Sequence, residues 1–149
     1  MVARCEALGP WRWSLCHTKR DHLVSRVLFL LAEEEEQGFI YGSERERRTM
    51  LVGDGTSFFG YLFWSENRAP SGAREPILRQ LFVRKEFRER GVGTAMVQTW
   101  ADRLASPLAE RFGVESPNDH TLRMLVRLGY ARRDGDSVVG TKCYFVTGM

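Results

Sequence analysis

The segment from Leu81 to Val97, LFVRKEFRERGVGTAMV, gathers the residues best suited to holding an anion. An apolar run gives way to Arg84, Lys85, Arg88 and Arg90, and two glycines, Gly91 and Gly93, then open an amphipathic stretch. A helix start presents backbone N–H groups without partners and carries partial positive charge. Glycine removes the Cβ that would keep an anion off that backbone. The chemistry implied is a cradle for a phosphate or pyrophosphate. Two nucleotide fingerprints fail here. A Walker loop needs Lys-Ser/Thr after its last glycine, and Gly93 is followed by Thr94 and Ala95; a G-x-G-x-x-G loop needs a third glycine where Met96 stands. On the two glycines alone, a tight turn with solvated arginines stands equally open.

Patterning along the chain supplies the elements that would position this turn. Residues 1–10 read as a loose terminus. Trp11 to Cys16 alternates as a strand with Trp11, Trp13 and Leu15 on one face. Asp21 is placed to cap a helix whose buried stripe is Leu23, Val27 and Leu31, with Val24 and Leu28 beside them, and Gly38 is placed to end it. Residues 43–48 read as a solvated loop. Thr49–Val52 and Phe58–Trp64 form an antiparallel hairpin about Asp54–Gly55, a surface loop follows over Asn67–Ala73, and Pro76–Val83 is the next strand. Gly91 to Leu104 is helical, with Val92, Met96, Trp100 and Leu104 at i+4 spacing and Ala95 widening the face; Ser106 and Pro107 end it. Phe112–Glu115 is a short strand, and Asn118 or Asp119 caps a helix through Leu128 with Gly129 as its C′ residue. Tyr130–Arg133 and Val138–Val146 close the chain as strands around Asp134–Gly135–Asp136. The order predicts an α/β fold with a mixed sheet.

Composition narrows the function classes. The chain has 149 residues, a length that fits a single domain, 1–149. A formal charge of +3 permits a nucleic-acid partner without demanding one, and Glu86 and Glu89 interrupt the arginine-rich turn, so that reading ranks last. Cys5, Cys16 and Cys143 offer neither a disulfide framework nor zinc spacing, and His17, His22 and His120 make no metal pattern with them. No metal is expected. Leu23–Ala32 is ten residues long and interrupted by Ser25 and Arg26, too short for a membrane span. Four glutamates follow it where a secretory signal would be cleaved. A cytoplasmic protein with reduced thiols is expected.

Arg88 to Gly93 matches R/Q-x-x-G-x-G/A, and in its strand–turn–helix setting the segment resembles the first motif of the GNAT superfamily of acetyl-CoA-dependent N-acetyltransferases. NDHTLRMLVRLGY (118–130) resembles that family's second signature, and the element order from Trp11 onward resembles its fold. The resemblance implies a mixed, mostly antiparallel central sheet of about six to seven strands flanked by helices. It implies acetyl-CoA as co-substrate, its pyrophosphate held by the backbone of Arg88, Glu89, Arg90, Gly91, Val92, Gly93 and Thr94. The backbone of Leu81, Phe82 and Val83 would pair with the pantetheine arm in a gap where this strand splays from the next. An N–H near Phe82 or Val83 would polarise the thioester carbonyl, and Asn118 would touch the pantetheine end. The partner would be a primary amine, on a small molecule or a protein; homodimers are common in the family.

Two positions depart from the family's pattern. Gln80 stands where an acid is frequent, and Leu125 where a tyrosine often protonates the departing thiolate. A lysine-like amine with a pKa of about 10.4 is neutral in only about one molecule in 2,500 at pH 7, a penalty of about 4.6 kcal/mol. A thiol near 8.5 leaves tolerably unaided. Loss of a base therefore matters more than loss of an acid. Glu75, Glu66 and Glu115 are candidate replacement bases, and Tyr130 and Tyr144 candidate acids, each with the plain alternative of a surface carboxylate or core-edge tyrosine. Glu33–Glu36, at the unfavourable end of a helix, could draw in a cationic amine or be a solvated run. Of Phe63 and Trp64, one is expected in the core and the other toward an acceptor cleft; Cys143 is expected as a strand filler. The rival reading is a GNAT-fold module that binds CoA or a protein without turnover.

Overall fold

The computed structural model describes residues 5–8, 11–35 and 48–147. Gly38, Glu36 and the expected loop at 43–47 lie outside them. The elements run β1 (Cys5–Leu8), β2 (Trp11–Leu15), α1 (Lys19–Glu35), β3 (Arg48–Gly53), β4 (Phe58–Arg68), β5 (Arg74–Val83), α2 (Val92–Trp100), β6 (Phe112–Glu115), α3 (Asp119–Arg127), β7 (Ala131–Asp134), β8 (Ser137–Gly140) and β9 (Cys143–Val146). A 3₁₀ turn occupies Lys85–Phe87 and a π-helical turn Ala101–Ala105. The chain divides into two compact units, Met1–Trp64 with Gln80–Met96, and Ser65–Arg79 with Val97–Met149.

In the first unit the strands hydrogen-bond in the order β1-β2-β3-β4-β5. β1 corrects the expectation of a loose first ten residues, because Cys5–Leu8 pairs antiparallel with β2 along its whole length, Glu6 opposite Trp13. β3 and β4 form the expected hairpin, with Met50 opposite Leu62 and Leu51 opposite Tyr61. Its turn is held by the Asp54 carboxylate, which accepts from the N–H groups of Thr56 and Ser57, both at 2.8 Å. Phe63 and Trp64 are both buried, so neither lines a cleft.

Helix α1 starts with a reciprocal cap one turn earlier than expected. Thr18 Oγ1 accepts the Asp21 N–H at 3.1 Å and the Asp21 carboxylate accepts the Thr18 N–H at 3.0 Å. Its buried face is also out of phase with the expected stripe. Ser25, Leu28, Phe29 and Ala32 face inward, whereas Leu23 and Val27 are 63% and 50% exposed. The run is apolar almost all round, so the period admits two phases. The sheet side is lined by Tyr61, Phe63 and Phe82 together with Leu51, and the small Ser25 and Ala32 let the helix backbone approach those rings. Val24 and Leu31 pack at the border of this cluster.

In the second unit β5 pairs parallel with β6, and β6 pairs parallel with β9. β7 and β8 form a separate two-stranded hairpin. The expected single strand from Val138 to Val146 is therefore two. A side chain at Gly140 would meet the Cys143 carbonyl oxygen at 2.0 Å, and the N–H groups of Thr141 and Lys142 both turn to the Tyr130 carbonyl, at 3.0 and 2.9 Å. Trp100, Phe112 and Tyr130 stack edge to face, with centroids 5.1 and 5.3 Å apart. α3 is capped by Asn118, whose side-chain oxygen accepts the Thr121 N–H at 2.9 Å, and Gly129 follows at φ 82° as the C′ residue.

Candidate active site

The strand–turn–helix from Leu81 to Thr94 lies in the first unit. Phe87 anchors the turn by stacking on Phe59 at 4.1 Å, and the guanidinium groups of Arg84 and Arg90 lie over its ring at 5.3 and 5.8 Å. Arg88 is extended, Glu89 is left-handed at φ 63°, and Gly91 is left-handed at φ 81°. A non-glycine residue at positive φ stores backbone strain. Here the strain reverses the chain so that α2 starts at Val92. The first helical bond of α2 runs from the Ala95 N–H to the Gly91 carbonyl at 3.0 Å, so the Val92 and Gly93 N–H groups lie ahead of the ladder. A Cβ at Gly91 would meet nothing within 4 Å. The result is an open corner of backbone donors beside exposed Arg88 and Arg90, with the left-handed residues that an anion nest uses.

Arg88 ties this corner to the strand. Its Nε donates to the Val83 carbonyl at 2.8 Å, its guanidinium lies 5.8 Å from the Phe82 ring centre, and it pairs with Glu35 at the end of α1. The Arg84 N–H donates to the Phe59 carbonyl at 2.7 Å, which puts the even-numbered residues of this stretch toward β4. Alternation then directs the backbone polar groups of Leu81 and Val83 to the opposite edge, as the Arg88 bond to Val83 requires. Gly60 is needed on β4 because the Phe82 carbonyl oxygen sits 2.0 Å from where its Cβ would be. Gln80, at the place where an acid is frequent, accepts from the Tyr61 hydroxyl at 3.3 Å. Leu125 is fully buried in α3.

The remaining candidates lie in the second unit. The β5–β6 ladder consists of Ile77 opposite Gly113 and Leu78 opposite Val114, whereas β5 continues to Val83. Glu75, Ile77 and Arg79 share one face of β5. Arg79 pairs with Glu115 at 3.2 Å and donates to Ser65 Oγ at 2.9 Å. Tyr144, opposite Gly113, fits only because that residue has no side chain: a Cβ there would meet the phenol ring at 3.1 Å. The Tyr144 phenol is pushed up by burial and by the Glu75 charge, against Arg111 and Arg79, and its buried hydroxyl has no hydrogen-bond partner among the described residues. Tyr130 is buried and donates to the Asp102 carboxylate at 3.3 Å. Burial, followed by the Asp102 charge, pushes it up to about 12. Burial likewise pushes the Cys143 thiol up to about 11, as expected of a strand filler. Glu66 pairs with Arg74 at 3.0 Å, and Asn118 acts as the α3 cap.

Sequence reasoning missed three pairings: Arg88–Glu35, Arg79–Glu115 and Tyr130–Asp102. The partners are separated by 53, 36 and 28 positions respectively, and no local pattern signals them. Among the described residues no group of three His, Cys, Asp or Glu could hold a metal ion, and no helix is long and apolar enough to cross a membrane.

Residues 10–130 match the acetyltransferase (GNAT) family. The chain belongs to that family. Compared with curated protein sequences, it matches none. Among solved structures, this GNAT chain resembles the xEco2 acetyltransferase domain bound to a CoA conjugate, with a TM-score of 0.65 at 12% identity over 85% of this chain and 92% of the other. It also resembles a ribosomal-protein-alanine N-acetyltransferase from Brucella melitensis biovar Abortus 2308, with a TM-score of 0.62 at 16% identity over 88% and 99%. A third is an aminoglycoside acetyltransferase, meta-AAC0020, from an uncultured soil metagenomic sample in complex with sisomicin: TM-score 0.63, 11% identity, 89% and 94% covered. At these identities the likeness is one of fold. The mixed, mostly antiparallel sheet with its helices is the GNAT architecture.

Proposed function

We propose that this chain transfers an acetyl group from acetyl-CoA to a primary amine by direct attack while both are bound. The observation that carries the reading is the open backbone nest made by left-handed Glu89 and Gly91 at the start of α2. Its donors and Arg88 suit a pyrophosphate, and the edge carrying Leu81 and Val83 suits the amide-bearing pantetheine arm as an added strand. The Val83 N–H, directed away from β4, is the donor we assign to the thioester carbonyl, in place of Phe82, which faces β4. Acetyl-CoA supplies the activated acyl group; the protein supplies alignment and this preorganised dipole.

The amine's proton needs an acceptor, and Gln80, held by Tyr61, is not one. Glu115 already holds Arg79, so we assign the proton to Glu75, whose charge acts on the Tyr144 phenol. Tyr130, bound to Asp102 and raised to about 12, is a poor donor to a thiolate, so we assign it to packing. The thiol's ordinary pKa of about 8.5 lets it leave without a dedicated acid.

A calorimetric titration with acetyl-CoA, followed by thiol release over a panel of N-terminal, lysyl, polyamine and aminoglycoside acceptors, tests the reading. Binding with turnover on at least one class supports it, as does a drop in kcat of at least tenfold for Glu75→Gln. No binding at saturating acetyl-CoA refutes it. Gln80 and Leu125 favour a second reading, a CoA-binding module without turnover; binding with no thiol release across the panel would select it.

A further inference from the structure

The turn from Arg84 to Arg90 carries more positive charge than a pyrophosphate seat uses. Arg84, Lys85, Arg88 and Arg90 stand against two carboxylates, Glu86 and Glu89. Arg88 belongs to the nest, where it reaches the Val83 carbonyl and Glu35. Arg84 and Arg90 gather around Phe87 instead. One face of that ring is stacked on Phe59 at 4.1 Å. Its other face and its rim are left to the two guanidinium groups, whose carbons lie 5.3 and 5.8 Å from the ring centre. Each cation gains from the ring, but two like charges held by one ring repel each other.

The two arginines are not equivalent. Arg84 is fixed: its Nη1 donates to the Phe58 carbonyl at 3.1 Å and its Nη2 pairs with Glu86 at 2.8 Å. Arg90 is exposed and, among the described residues, has no carboxylate partner. A guanidinium has five N–H donors, so both keep donors for a ligand. One preset cation beside one adjustable cation suits a doubly charged phosphate, which would also relieve their repulsion.

Coenzyme A carries such a group: besides its pyrophosphate it has a phosphomonoester at the 3′ position of the same ribose. A phosphomonoester holds close to two negative charges at neutral pH. Because it shares a ribose with the pyrophosphate, its seat must lie next to the nest, and Arg90 immediately precedes the left-handed Gly91. We propose that Arg84 and Arg90, gathered around Phe87, seat the 3′-phosphate, so that the chain selects coenzyme A over its 3′-dephospho form. The proposal rests on the pyrophosphate reading above and adds a specificity to it.

Calorimetric titration of the full chain with acetyl-CoA and with 3′-dephospho-acetyl-CoA tests it. A hydrogen bond to a charged group is worth about a factor of ten or more, so acetyl-CoA should bind about 10- to 100-fold tighter than the dephospho form. Arg90→Gln, at an exposed position, removes the charge and the fork and should cut that ratio to below about threefold. Arg20→Gln is the control. It removes an equal charge from an exposed site about 22 Å along α1 from Glu35, the partner of Arg88, and should leave the ratio at its wild-type value. Equal affinity for the two forms in the wild-type chain overturns the seat and leaves the nest standing. So does a ratio that survives Arg90→Gln, or one that Arg20→Gln lowers as much. Binding of neither form overturns the nest and the seat together.

Discussion

Substituting Gly91 by Glu isolates the nest. The backbone there is left-handed at φ 81°, so any side chain costs about 1–2 kcal/mol. Space costs nothing further, since nothing lies within 4 Å of an added Cβ. At about 2–4 °C per kcal/mol for a chain of this size, the melting temperature should fall by about 2–8 °C and the fold survive. The effect on cofactor is larger. A carboxylate about 6 Å from a diphosphate, in an effective dielectric of about 40 at this exposed corner, meets each charge with about 1.4 kcal/mol of repulsion, or about 3 kcal/mol for two. That weakens acetyl-CoA binding about 100-fold. Gly72 provides the control: it is left-handed at φ 87°, has nothing within 4 Å of an added Cβ, and sits in the β4–β5 turn. Gly72→Glu should lower the melting temperature to the same degree and leave acetyl-CoA affinity at the wild-type value. Calorimetric titration beside thermal melting reads both quantities. Equal acetyl-CoA affinity in the two variants would refute the assignment of the pyrophosphate to this turn.

Gly60→Ala drives a methyl into the Phe82 carbonyl oxygen, 2.0 Å away; a loss of about 1–3 kcal/mol in urea unfolding should accompany a raised KM for acetyl-CoA, because the Leu81–Val83 edge must move. Asn118→Ala removes the cap of α3 and should cost about 1 kcal/mol, read as a melting-temperature drop of about 2–4 °C. Tyr130 rises from 10.0 to about 12 and Cys143 from 9.0 to about 11 on folding. Their contribution is present below the unfolded values and lost as pH climbs through the folded ones, so stability should fall between about pH 9 and 12. Tyr130→Phe should flatten the upper part of that fall and leave kcat within about threefold of wild type; an unchanged slope would contradict the burial-raised Tyr130 hydroxyl, and a larger kcat loss the assignment to packing.

Much of this architecture was legible because short-range rules wrote it. Phe112–Glu115 was found to the residue, and the Asn118 cap with Gly129 behind α3 follows from hydrogen bonding within a few positions. The turn from Arg84 to Gly93 was legible for the same reason. What escaped was decided by partners far away in sequence. The phase of α1 depends on which face meets Tyr61, Phe63 and Phe82, and a run apolar on nearly every side cannot announce it. β1 exists because β2 offers it an edge. The break at Gly140–Cys143 reflects two N–H groups drawn to the Tyr130 carbonyl, and a lone Gly140 inside a strand-like run does not announce it. The surroundings of the candidate acids and bases were hardest, since Arg79 meets Glu115 and Tyr130 meets Asp102 only in the fold.

The bond between Arg88 and Glu35 joins the nest to the far end of α1. The guanidinium is shared between a carboxylate and the Val83 carbonyl, so its charge is already partly neutralised. If the proposed pyrophosphate site is correct, a diphosphate competes there with Glu35 for one cation, and loading becomes an exchange of anions rather than the filling of a bare positive hole. On that proposal the corner would discriminate by charge number: an anion with a single negative oxygen would gain little over the carboxylate it must displace, whereas a doubly charged one would gain more.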